Sequence, residues 1–167
     1  MMAFEVRGFR ELDWRLRMTV ARLRSDLPAT MQTIAEMAAE AARARIGHEW
    51  PDWAPLAEST VRQKRRLGYV GRISETDPLY RTGAMRASIR GEGDAMVAEV
   101  RANAPARWQE LGTRDFRGRS PLQGRALQNS GMQGIPPRPF LRPALMATVP
   151  EAKRLLAEIF ETAIQES

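Results

Sequence analysis

The chain has 167 residues and a net charge of +6, with a pI near 10.8. Apolar residues make up 43% of it, enough for one globular core, but no run approaches the ~20 consecutive apolar residues of a membrane helix. The absence of cysteine excludes disulfides, thiolate nucleophiles and cysteine-bound zinc, and allows a reducing assembly compartment. The first residues carry an early acid, Glu5, and no apolar h-region, so a secretory signal is not expected. Of the 26 basic residues only Lys64 and Lys153 are lysines. Such a bias fits a high-GC coding sequence, and equally an interface, because arginine binds carboxylate and phosphate at two points.

In chain order, residues 4–7 fit a short strand or an arm. From Phe9, apolar residues fall at Leu12, Leu16, Val20, Leu23 and Leu27, steps of four, four, three and four that share one helical face. Pro28 is expected to break or kink this helix, with Asp26 able to cap a new start. Met31, Ile34, Ala38, Ala41 and Ile46 continue the stripe to Gly47, so residues 9–46 read as one long kinked helix or two in sequence. The small alanine face allows a close neighbour.

Residues 48–55 form a loop with Trp50 and Trp53, and 56–67 a short basic helix that starts at Ser59 or Thr60 and ends at Gly68. After a polar loop over 69–82, Met85–Arg90 and Met96–Arg101 read as two strands. Gly91-Glu92-Gly93-Asp94 would join them as a hairpin turn. Ala104–Leu111 reads as a short helix closed by Gly112. Residues 113–134 show no period and are rich in Gly, Arg, Gln and Ser, as an extended interaction loop would be. Four prolines make residues 135–145 extended. A final helix runs from Leu145 or Val149 to Gln165, with Ala152, Leu155, Leu156, Ile159, Phe160 and Ile164 as its apolar face. The expected fold is a single α+β domain spanning 1–167: a long N-terminal helix, a small antiparallel sheet with a hairpin, and a C-terminal helix.

Chemistry is sparse. The one histidine, His48, lies beside Glu49, Trp50 and Asp52, and Ser88 and Ser120 lack a second histidine for a triad. Scattered acids without cysteine make a metal site unexpected. Asp94, Glu99 and Arg101 loosely imitate a metal-holding nuclease hairpin, but arginine is a poor substitute for a water-positioning lysine. A hairpin with charged outward positions explains them better. No catalytic, cofactor-binding or metal-ligating residue is therefore expected. Arg62, Lys64, Arg65 and Arg66 form a candidate basic patch, suited to nonspecific phosphate contact or to solvation.

Four separated pieces, in order, resemble a known family: Trp53-Ala-Pro-Leu-Ala-Glu-Ser-Thr60 with Lys64; Pro78-Leu-Tyr-Arg-Thr-Gly83 with Met85-Arg86 and Ile89; Ala106-Arg-Trp-Gln-Glu-Leu-Gly-Thr113; and Pro137-Arg-Pro-Phe-Leu-Arg-Pro-Ala144. They are similar to the virion-morphogenesis, or tail-completion and neck, proteins of tailed bacteriophages, relatives of the minor tail protein Z type among them. The resemblance covers about residues 50–146. It implies a virion protein assembled in the host cytoplasm, with no reaction, cofactor or membrane. The implied subunit joins a self-associated ring, six-fold or twelve-fold, at the head–tail junction. Implied partners are head connector or adaptor proteins and tail terminator or tail-tube proteins, with nonspecific phage DNA contact possible. Candidate interface residues are Arg114, Arg117, Arg119 and Arg125 in the loop, and Arg138, Phe140 and Arg142 at its return; core packing is the simpler role for Phe140. The alternative is a basic nucleic-acid-binding protein acting on phage or host DNA.

Overall fold

The computed structural model describes residues 8–68, 76–112 and 135–166. They form a mostly helical α+β fold with a two-stranded antiparallel sheet. Helix α1 spans Phe9–Arg45, α2 Glu58–Arg66 and α3 Ala84–Ser88. Strands β1 (Arg90–Gly93) and β2 (Ala98–Arg101) follow. Helix α4 covers Ala104–Leu111, and α5 covers Leu141–Gln165.

Helix α1 is continuous, with Pro28 inside it. The proline removes one N–H and so one bond to the preceding turn, yet the surrounding turns carry the helix through. Helix α5 runs antiparallel to α1. Its first turn brings Ala144 into the cluster that holds Ala42, while its far end meets the middle of α1 through Arg22–Glu166 at 2.9 Å.

The core lies at the C-terminal half of α1. Ala39, Ala42 and Ile46 pack there with Trp53, Ile89, Ala106, Phe140 and Ala144. The alanine face admits a close neighbour, as its composition predicts, and that neighbour is β1. A Cβ added at Gly91 would overlap the Ala35 carbonyl, and one at Gly93 would overlap Met31 and Gln32 main chain. Two glycines at i and i+2 point to one face of a strand, so β1 lies directly on the helix backbone. Gln32 then serves the main chain of β1: Gly93 N–H donates to its Oε1 at 2.8 Å, and its Nε2 donates to Gly91 O at 3.4 Å.

This contact revises the expected hairpin. Gly91 and Gly93 sit in the strand, and the reversal falls on Asp94–Val97, with Arg90 opposite Arg101 and Gly93 opposite Ala98. The Asp94 carboxylate accepts N–H bonds from Met96 (2.8 Å) and Val97 (3.0 Å), which closes the turn without glycine. Met85–Ser88, expected as strand, is helical and starts after Gly83 at φ 79°. The final helix begins four residues before the earlier of its two expected starts, at Leu141, so only the segment up to Phe140 is extended. Pro143 falls in its first turn, where a missing N–H costs nothing.

Candidate functional site

The four sequence pieces converge on one end of α1. Trp53, from the first, and Ile89, from the second, are buried with Ala106 from the third and Phe140 and Ala144 from the fourth. Polar side chains then tie the pieces together.

The strongest tie is Glu110. Its Oε2 accepts N–H bonds from Phe140 (2.7 Å) and Leu141 (2.9 Å), and its Oε1 accepts one from Arg142 (2.9 Å). A helix leaves its first N–H groups without internal partners. Here Glu110 takes three of them and Pro143 has none to offer, so the start of α5 is fully accounted for. The carboxylate also sits at the positive end of the α5 dipole. No residue of α5 supplies this cap; it comes from a helix some thirty residues earlier in the chain.

Arg138 supplies a second tie. Its Nε and Nη2 donate to Ala54 O at 3.2 and 2.9 Å, and Nη2 also reaches Pro55 O at 3.2 Å. Its own N–H donates to Gln109 O at 2.7 Å. The residue is 6% exposed, and burial pulls its guanidinium below the ordinary arginine value. Beside it, Gly112 adopts φ +67°, and a Cβ there would stand 2.8 Å from Pro137 N. Entry to and exit from residues 113–134 are thus held together by Gly112–Pro137 and Gln109–Arg138.

A third tie secures the turn before α3. Lys64 Nζ donates to Asp77 O at 3.0 Å, and Gly47 N–H donates to Pro78 O at 3.2 Å. Just after these anchors Leu79 holds φ 61°, a conformation that costs a bulky residue about 1–3 kcal/mol and needs such bracing. Nearby, the Arg45 guanidinium stacks 3.7 Å above the Trp50 ring, and Trp50 Nε1 donates to Arg45 O at 3.1 Å.

The expected site residues divide accordingly. Arg138 and Phe140 lie inside the subunit, so they fasten the chain to itself and offer nothing to a partner's surface. Arg142 is exposed. Arg114, Arg117, Arg119 and Arg125 lie outside the described residues. In the basic patch, Arg62, Arg65 and Arg66 are exposed, but Lys64 is buried; its long stem crosses the interior to the Asp77 carbonyl. The patch is therefore an arginine patch.

The hairpin that loosely imitates a nuclease uses its charges locally. Arg101 pairs with Glu92 at 2.8 Å and with Glu99, and Glu92 stands opposite Glu99 in the register. The two N–H bonds hold the Asp94 carboxyl below the usual aspartate value. Among the described residues no three His, Cys, Asp or Glu side chains cluster as a metal site, and no helix is long and apolar enough to cross a membrane.

Sequence reasoning missed the half of α1 that the core does not use. Phe9, Leu12, Trp14, Leu16 and Val20 are each 46–67% exposed. A shallow groove there is lined by Leu16, Arg17, Val20, Ala21 and Arg24. The signal was present in the length of the apolar stripe, which outruns every other described element.

Comparisons with protein-family models, with curated proteins and with solved structures found no match.

Proposed function

We propose that this chain is a non-catalytic structural subunit of a tailed-phage or phage-like particle, forming a ring at the neck where head and tail join. The observation that carries the reading is the meeting of the four ordered sequence pieces in one clasped unit. The carboxylate of Glu110 in the third piece holds the fourth. Arg138 in the fourth holds the first. Ile89 of the second lies buried among them. Residues that resemble the family are therefore those that set the fold around the exit of 113–134, the segment expected to reach neighbouring subunits.

The test is assembly. Under this reading connector and tail-tube proteins must be encoded in the same genome; purified chain is mixed with them and viewed by electron microscopy. A closed ring, six-fold or twelve-fold, is expected on the connector. A chain that stays monomeric with both partners present overturns the reading.

The exposed Arg62, Arg65 and Arg66 on α2 favour a second reading, a basic protein that contacts duplex DNA. Substituting the three with glutamine would then flatten a steep salt dependence of binding, since each lost phosphate contact lowers the slope by about 0.9. Weak, salt-insensitive DNA binding by the wild type removes this alternative.

A further inference from the structure

We infer that the N-terminal half of α1 is a docking arm whose occupant is the C-terminal end of α5, residues 157–165, on a second copy of this chain. The inference deepens the ring reading and rests on it for the number of copies.

Continuity is the first argument. The apolar seam of α1 runs Phe9, Leu12, Leu16, then Val20, Leu23, Leu27, then Met31, Ile34, Ala38. Each triplet repeats the last after eleven residues, or about 3.67 per turn, so the seam stays on one side of a nearly straight helix. Within the subunit α5 packs along α1 until Arg22 meets Glu166. Beyond that pair the same seam goes on, bare, for residues 9–21, roughly 20 Å of helix at 1.5 Å per residue. A helix packed on one half of a continuous seam leaves the other half shaped for a helix.

Charge selects the occupant. Residues 9–24 hold five arginines and two acids, net +3, while residues 157–166 hold Glu158, Glu161 and Glu166 and no base, net −3; Glu158 pairs with Arg154 one turn earlier and Glu166 with Arg22 of its own subunit, so Glu161 is the acid left to face an arm. Two arms laid together would set positive against positive. The end of α5 has the opposite sign, and Arg22–Glu166 already pairs these two regions inside one subunit.

The end of α5 also has a face to give. Ala163 is buried against its own subunit, whereas Phe160 and Ile164 are 46% and 65% exposed. Arm onto α5 end joins two different surfaces, a head-to-tail contact that repeats from copy to copy and closes into a ring when the rotation allows.

The absence of cysteine permits a clean test in the full chain. Leu16→Cys and Phe160→Cys are made as separate proteins, mixed, and oxidised, with Met96→Cys at the hairpin tip as control. A disulfide between the Leu16→Cys and Phe160→Cys chains is expected in excess over either with the control. In sedimentation, L12E/L16E is expected to weaken self-association at least tenfold, with an unchanged thermal melt showing that the fold survives. Arm-to-arm cross-links alone, or undiminished association of L12E/L16E, overturn the docking arm and leave the ring reading standing on another surface. A wild type that remains monomeric both alone and with connector present overturns both.

Discussion

Glu110 shows how much one side chain can organise. One carboxylate satisfies three main-chain donors that begin α5, and no neighbour within α5 can replace it. Glu110→Ala is therefore expected to lower the unfolding free energy by about 1–2 kcal/mol, the usual loss for a helix cap with charged hydrogen bonds. Glu110→Gln, which keeps one accepting oxygen, should lose roughly half as much by the same reasoning. Urea titration of the three proteins side by side checks both. Asp94 makes a separate prediction in pH. Its folded carboxyl titrates below the ordinary aspartate value because Met96 and Val97 N–H groups favour the charged form. Its contribution to the turn is thus present above that ordinary value and is lost as pH falls through the depressed one. The Met96 and Val97 amide resonances should follow this titration together, and Asp94→Asn should abolish it.

At the scale of elements, the decisive contact is strand on helix. Gly91→Ala and Gly93→Ala each place a methyl group inside the main chain of α1. Neither neighbour is a side chain that can swing away, so the hairpin must lift off. Each substitution is expected to cost about 3 kcal/mol or more, seen as a drop in melting temperature with loss of protection at the Gly91 and Gly93 amides. The same contact explains what the sequence could and could not disclose. Helix α1 was legible from 3.6-residue periodicity, and α2 and α4 from their composition and the glycines that close them. The hairpin was legible as a hairpin, but its turn was displaced, because a Gly-x-Gly pair signals a turn locally and a close approach only when the partner helix is known. The start of α5 was hidden for a similar reason. Pro143 resembles a stop signal until Glu110, thirty residues away, supplies the cap. Arg138 and Lys64 carried charge signals that pointed outward, yet both side chains end on buried carbonyls, and composition alone holds no information about that direction.

For the whole molecule, stability and exposure are divided between two ends of one long helix. The C-terminal half of α1 carries the core, with Ala39, Ala42 and Ile46 fully buried. The N-terminal half is exposed along nearly its whole circumference from Phe9 to Val20. Amides of Ala35–Ala42 should therefore exchange only through global opening, while those of Leu12–Val20 exchange through local fraying. Hydrogen-exchange mass spectrometry on dilute protein is expected to separate the two halves by several orders of magnitude in rate. Slow exchange along the arm in dilute monomer would contradict this division.

The pinch at Gly112–Pro137 and Gln109–Arg138 also sets how the chain tolerates growth. Gly112 and residues 135–138, on either side of residues 113–134, meet at a single point, so the spacing of the described elements does not depend on the length of chain between them. Closing a loop becomes dearer by only about 0.6 kcal/mol for each doubling of its length, less than the expected loss of the Glu110 cap. Foreign segments spliced between Gly112 and Ile135 should thus leave the scaffold standing, which makes this the natural place to graft a tag, an epitope or a second binding domain.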